Sequence, residues 1–228
     1  MIKTSLTYKE ITAMKDAAAC LRDKVIISFY ADTGCRCSEL LKLKVRDVDL
    51  KAGQVMIPHL KHGTKKKCPK CGKTAGRAQG FCSYCGKDLS RVQAEGIKDR
   101  KRLIGLGEES LGFLTEWLKD MAPDEPIIQL SRRQVYNIVR NCAAAAGLTG
   151  KAILNPETGR RHYVHPHNFR DSLAVDWLAD AGSDVNKQKA LQEYLGHARF
   201  ETTMRYNKLA PSEVKKTADE VRRKRKES

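Results

Sequence analysis

Four short segments of this chain carry side chains whose types and spacing suit chemistry at phosphorus. They are Thr33-Gly34-Cys35-Arg36-Cys37-Ser38-Glu39-Leu40, His167-Asn168-Phe169-Arg170, Leu195-Gly196-His197 and Thr202-Thr203-Met204-Arg205-Tyr206. A phosphodiester carries one negative charge and gathers more on its oxygens as a fifth ligand approaches. Arginine presents a planar fork of donors that stays charged, so Arg36 and Arg170 suit a clamp on the two non-bridging oxygens. Tyr206 supplies a phenol oxygen as nucleophile. Its ordinary pKa is about 10, so attack needs help from cationic neighbours. His167 stands one helical turn before Arg170, so both can address one phosphate, and an imidazole titrates near neutrality. His197 follows Gly196, where a tight turn can aim the ring inward. Glu39 lies three residues after Arg36 on the same helical face and reads as a residue that holds the site by hydrogen bonds.

A second pattern is built from cysteine. Cys68-Pro69-Lys70-Cys71 and Cys82-Ser83-Tyr84-Cys85 form C-x2-C-x10-C-x2-C, and Gly72 and Gly86 follow the two pairs. Four thiolates at this spacing suit a tetrahedral structural Zn2+, with Cys68, Cys71, Cys82 and Cys85 as ligands. A catalytic zinc would need an open position, and no residue suggests one. Cys20, Cys35, Cys37 and Cys142 show no pairing logic, which fits a reducing, cytoplasmic setting.

Charge points to the partner. The 228 residues hold 43 Lys and Arg against 27 Asp and Glu, a net charge of +16. Such a field favours a polyanion. From Lys61 to Arg102 there are thirteen basic residues and three acidic ones, so the excess is concentrated beside the cysteines. No apolar run approaches the ~20 residues of a membrane span. The N-terminus lacks a signal-peptide pattern.

The elements that must position these residues follow from caps and periodicity. Thr7-Tyr8-Lys9-Glu10 is a capping box that opens a helix to about Leu21. A second helix is expected from about Asp23 to Thr33, closed by Gly34, and a short one from Cys37 to Lys42. Residues 54–60 and 102–106 read as strands, with the cysteine segment at the tip of their hairpin, where insertions are tolerated. Further helices are expected over 108–121, 131–146, 168–181, 184–195 and 200–207. Residues 148–166 read as loop, and the tail from Pro211 as charged and frayed. The fold class is mainly α with a small antiparallel β-sheet, α+β.

The four segments, taken in order, resemble the tyrosine recombinase family of phage-type integrases and Xer recombinases. The matching motifs are Thr-Gly-x-Arg-x-x-Glu-Leu, His-x-x-Arg, Leu-Gly-His and Thr-Thr-x-x-Tyr, and the resemblance spans about Leu6 to Tyr206. It implies the tyrosine recombinase catalytic-domain (DNA breaking-rejoining enzyme) fold over residues 1–210. A zinc-ribbon-like insertion would occupy 64–96 and a basic tail 211–228. It implies Arg36 and Arg170 on the phosphate, His167 in proton transfer with the tyrosine or donating to a phosphate oxygen, His197 donating to the phosphate, and Tyr206 as nucleophile. The product would be a covalent 3′-phosphotyrosine, with no ATP or catalytic metal needed. A hairpin lysine would protonate the leaving 5′ oxygen. Lys61 is preferred and Lys98 is the rival, because the insertion blurs the match. The family sets the helix start at Ser131 against DNA, so Arg132, Arg133 and Gln134 are candidate contacts, or simply a capped basic helix start. The implied partner is double-stranded DNA, with a homo-tetramer on DNA and a monomer possible when free. Two other readings remain open: type IB topoisomerase-like nicking and sealing, and a catalytically inert DNA-binding module.

Overall fold

A computed structural model describes residues 5–58, 65–76, 78–93, 101–148, 153–154, 161–197, 199–204 and 206. Helix α1 (Tyr8–Asp16) starts at the expected box: the Thr7 N–H donates to Glu10 Oε2 at 2.7 Å, and the Glu10 N–H donates back to Thr7 Oγ1. It stops short of Leu21. The chain turns through residues 17–20 and buries Ala18 in the core, so packing overrides the helix preference of three successive alanines. Helix α2 (Leu21–Thr33) then starts from extended Cys20. Val25, Ile26, Ile27, Phe29 and Tyr30 are fully buried, so α2 is apolar on several faces and forms the central element. Around it pack α1, α4 (Glu108–Leu118), α5 (Arg132–Ala145) and α6 (Pro166–Ala181). Tyr30 stacks on Phe169 with ring centroids 5.9 Å apart, worth about 0.5–1.5 kcal/mol beyond burial.

The sheet is antiparallel, ordered β1 (Val48–Asp49), β2 (Gln54–Pro58) and β5 (Lys101–Gly105). Val55 pairs with Ile104 and Ile57 with Arg102, while Met56 and Leu103 face outward. Period-two alternation therefore turns Arg102 toward the core. There Arg102 Nη2 donates to Glu39 Oε2 at 2.7 Å, and the Glu39 side chain is 0% exposed. Glu39 lies on the short helix α3 (Cys37–Leu40). Burial alone would raise its carboxyl, but Arg102 and Arg36 together hold it below its ordinary value. Arg102 Nε and Nη1 are buried with no partner among the described residues.

Between β2 and β5 lies a separate pair, β3 (Lys65–Lys67) with β4 (Thr74–Gly76), over a small core of Cys68, Ala75, Cys82 and Leu89. A third pair, β6 (Ile153–Leu154) with β7 (Arg161–His162), falls in the span expected to be all loop. Two-residue strands are too short to leave an alternation in sequence. The expected turn at 155–159 lies outside the described residues, as does the tail from Pro211.

Helix α6 starts at Pro166, two residues earlier than expected. Proline fits the first helical position, and the His165 N–H donates to Asn168 Oδ1 at 2.8 Å. Helix α7 (Val185–Leu195) is capped by Asp184 and packs on α6 through Ala174, Leu178, Leu191 and Leu195. Helix α8 (Phe200–Met204) is shorter than the span expected to reach Asn207, and Tyr206 stands in the turn after it. Among the described residues no helix is long and apolar enough to cross a membrane.

Two stability measurements test this frame. Gly34 has φ +54°, and an added Cβ would lie 3.2 Å from Leu173 Cδ2 and 3.3 Å from Leu195 Cδ2. Gly34→Ala should therefore cost about 2 kcal/mol, read as a lower urea midpoint at unchanged slope. Glu39→Gln strands a buried guanidinium and should cost about 3 kcal/mol at neutral pH. Because the folded-state pKa of Glu39 is depressed, its contribution is present above the ordinary value of 4.5 and is lost as pH falls through the folded value. The variant should show a smaller loss of stability between neutral and acid pH than the parent.

Candidate active site

The site is assembled where helix ends meet. Helix α2 closes on left-handed Gly34, and two residues later Arg36 caps α3. The Arg36 N–H donates to Glu39 Oε2 at 2.9 Å and its Nη1 donates to Oε1 at 2.8 Å. Glu39 thus accepts from one backbone amide and two guanidiniums. This fixes the stem of Arg36 while leaving its side chain 19% exposed.

Arg170, on α6, is 1% exposed. Its Nη1 donates to the Gly34 carbonyl at 2.9 Å and its Nη2 to the Leu195 carbonyl at 2.5 Å. Both carbonyls stand at helix C-termini, where unpaired C=O groups carry partial negative charge. Burial first, and then Arg36, press the Arg170 pKa down to about 10. That is far above neutrality, so the cation persists. Arg36 and Arg170 therefore act on one another as a linked pair of cations.

A cleft of about 330 Å³ opens beside Arg36, lined by Cys35, Arg36, Cys37, Ser38, Arg132, Tyr136, Pro166 and His167. The His167 side chain is 51% exposed, and its Nε2 lies 3.6 Å from Asp171 Oδ1. The Arg132 guanidinium stacks over Tyr136 at 5.4 Å and joins the same cleft. Arg133 is exposed on the first turn of α5. Gln134 closes a capping box, its Oε1 accepting from Ser131 N and Oγ at 2.8 Å. Its side-chain oxygen is thus engaged at the helix start.

Helix α7 ends on left-handed Gly196, as expected, and delivers His197. His197 Nδ1 shares a hydrogen bond with buried Thr203 Oγ1 at 2.8 Å, and Gln192 Nε2 donates to the His197 carbonyl at 3.0 Å. The His197 and Tyr206 rings lie nearly parallel, 6.2 Å apart. The Tyr206 phenol is hydrogen-bonded to the Asp171 carboxylate. Burial, and then Asp171, push the phenol up to about 12 against the opposing pull of Arg170 and Arg36. Burial also raises the Asp171 carboxyl above its ordinary value.

Arg36, Arg170, His167, His197 and Tyr206 are thus brought into one neighbourhood. Such an arrangement can hold a tetrahedral anion and present an oxygen nucleophile to it. Lys61 and Lys98 lie outside the described residues. Sequence reasoning missed Asp171, Arg102 and the Thr203 contact to His197. Asp171 stands four residues after His167, so a helical projection of α6 would have placed it beside that histidine.

The cysteines converge separately. The ligand atoms of Cys68, Cys71, Cys82 and Cys85 all lie within 4.8 Å of one another, so the group can hold a metal ion. Sγ of Cys68 and Cys85 are 3.5 Å apart, and those of Cys71 and Cys82 3.6 Å. Gly72 and Gly86 both have positive φ and close the two turns through N–H bonds to the Cys68 and Cys82 carbonyls at 2.9 Å. Burial opposes ionisation of Cys68, but the Cys71 and Lys70 amides and neighbouring sulfurs bring its thiol down to about 6. The donor set and its spacing fit a four-thiolate zinc site.

Comparison with known proteins agrees with this geometry. Tyrosine recombinase XerD of Bifidobacterium longum (strain NCC 2705) is 29% identical over 221 residues, 93% of this chain and 60% of the relative. The chain thus spans somewhat over half the length of that protein. The crystal structure of XerA recombinase superposes with a TM-score of 0.61 at 21% identity, covering 96% of this chain and 63% of that one. XerH site-specific recombinase, bound to difH substrate in a pre-cleavage complex, gives a TM-score of 0.57 at 19% identity, covering 94% and 53%. The fold is that of a tyrosine recombinase catalytic domain. The profile described as the phage integrase family matches residues 4–213, and the chain belongs to that family.

Proposed function

We propose that this chain is the catalytic part of a site-specific DNA recombinase or integrase. It cuts one strand by attack of the Tyr206 phenol on a phosphodiester and leaves a covalent 3′-phosphotyrosine. The observation that carries this reading is the convergence of Arg36, Arg170, His167, His197 and Tyr206 from four separate segments. Arg36 and Arg170 stabilise the charge that develops on the non-bridging oxygens, and losing such a donor costs on the order of 10²–10³ in rate. His197, held by Thr203, adds a donor to the phosphate, and Glu39 fixes Arg36. His167 donates to a phosphate oxygen or takes part in proton transfer with the tyrosine. Lys61, with Lys98 as the alternative, protonates the departing 5′ oxygen. The phosphotyrosine keeps the energy of the broken linkage, so rejoining needs neither ATP nor a catalytic metal.

Double-stranded DNA is the partner, as the net charge of +16 favours and as the substrate of the XerH complex supports. Arg132 in the cleft and Arg133 beside it contact the DNA, their polar forks available to base edges. Gln134, exposed on the same first turn, meets it with the part of its amide that the cap leaves. Recombination joins two duplexes, so the working form is a tetramer on DNA, with a monomer when free. The setting is cytoplasmic, consistent with the unpaired thiols. The segment 64–96 is a module folded around structural Zn2+, an extra contact to DNA or to another subunit.

Covalent capture tests the reaction whatever the target sequence is. Nicked duplexes of randomised sequence are incubated with the chain, and DNA that survives denaturation in detergent as a protein conjugate is recovered and sequenced. The parent should form the conjugate and Tyr206→Phe should not; equal yields would remove Tyr206 from its role. Plasmid relaxation without joining of two recovered sites would instead favour a topoisomerase. Binding should weaken with salt, log K falling by about 0.9 per neutralised phosphate for each unit of log salt. Metal analysis should find zinc in the parent and loss of it in Cys68→Ser; undiminished zinc would refute the four-thiolate site.

A further inference from the structure

Asp171 has no part in the reaction as read above, yet it touches its central atom. The side chain is 19% exposed and follows buried Arg170 on α6. It receives the hydrogen bond of the Tyr206 phenol and has His167 Nε2 3.6 Å from its Oδ1. The charged and titratable groups that act on it are His167, Tyr206, His165 and Arg170. A carboxylate beside two phosphate-binding arginines is a poor choice for electrostatics alone, since it repels the phosphate. Its position is better explained by a task that removes its charge at the moment the phosphate gains charge.

We infer that Asp171 is the proton acceptor for the nucleophile, an assignment that rests on the reaction proposed above. As the Tyr206 Oη lone pair forms the new bond to phosphorus, the phenol proton passes along the existing hydrogen bond to the Asp171 carboxylate. The bond from phosphorus to the 5′ oxygen breaks, and that oxygen takes a proton from the hairpin lysine or from solvent. Nothing is oxidised or reduced, and rejoining runs the same steps backwards. A phenol oxygen becomes far more acidic as it bonds to phosphorus, so a carboxylate already in contact suffices as base. Burial makes this carboxylate more basic than an exposed one. Once protonated it is neutral, and the full field of Arg36 and Arg170 falls on the phosphorane. Before DNA arrives, the same hydrogen bond keeps the phenol in its neutral form. His167, with Nε2 3.6 Å from Asp171 Oδ1, is close enough to help hold the carboxylate in place.

The test uses a duplex recovered by covalent capture, resynthesised with a 5′-bridging phosphorothiolate at the cleavage position. A thiolate leaves without a proton, so any defect on this substrate belongs to the phenol side of the reaction. Asp171→Asn should slow conjugate formation by about 10²–10⁴ on it, whereas Lys61→Ala should be relieved of its defect. Asp171→Ala should be equally slow but accelerated by added formate, with no response to chloride at equal ionic strength, because a small carboxylate can fill the vacated place. In the DNA-free chain, Asp171→Asn should let the Tyr206 phenol ionise at lower pH, a readout independent of activity. Cleavage by Asp171→Asn at or above the parental rate overturns the inference, and so does an Asp171→Ala defect that formate leaves unchanged. Failure of the parent to form any conjugate would instead strike the proposed reaction itself.

Discussion

The fold turns on a buried guanidinium held between two helix ends. Arg170 bonds the last carbonyls of α2 and α7 at once, and those helices carry Arg36 and His197 on the residues just beyond. One side chain therefore ties together the two segments of the site while remaining a cation itself. Two helix termini face this buried charge with partial negative charge, and the Glu39 carboxylate nearby favours it further. The left-handed glycines, Gly34 and Gly196, are what let both chains leave their helices sharply enough to form this clasp. At Gly34 an added methyl would crowd Leu173 and Leu195, which would have to give way.

A second clamp supports the first. Glu39 is gripped by Arg102 from the sheet and by Arg36 from its own helix. The sheet thereby reaches the site through one ion pair, and Arg36 is spared the freedom of an exposed arginine. Tyr206, the proposed nucleophile, sits where these fields compete: Arg170 and Arg36 favour its phenolate, while burial and Asp171 favour the neutral phenol. On the proposed reaction, a resting site of this kind holds its phenol neutral until a phosphate binds.

Much of this was legible in the sequence for a local reason. Arg36, His167, His197 and Tyr206 each stand a fixed few residues from a helix cap or a glycine stop, so spacing along the chain translates into position in space. The cysteine pairs are readable in the same way, since each turn is set by its own glycine. What was not legible depends on distant partners. Residues 17–19 are alanines that would continue a helix in isolation, and only the core around Ala18 decides otherwise. Leu103 and Ile104 are both apolar, so the pattern of β5 does not say which face is inner. The answer lies in Glu39, sixty-three residues away, which pulls Arg102 inward. Asp171 beside Arg170 resembles an ordinary neighbouring ion pair until a turn after α8 folds Tyr206 back onto it.

The strands β2 and β5 pair in register although positions 59 to 100 separate them. A floppy connection of that length would raise the entropy of closure by only about 2 kcal/mol over a tight turn, because the cost grows as a logarithm. A connection with its own folded core costs less still, for the strands then feel only the gap between its two ends. The hairpin can thus host a passenger of considerable size without loosening Arg102 from Glu39, and whatever that passenger grips is carried on the same stem that, through Glu39, holds Arg36.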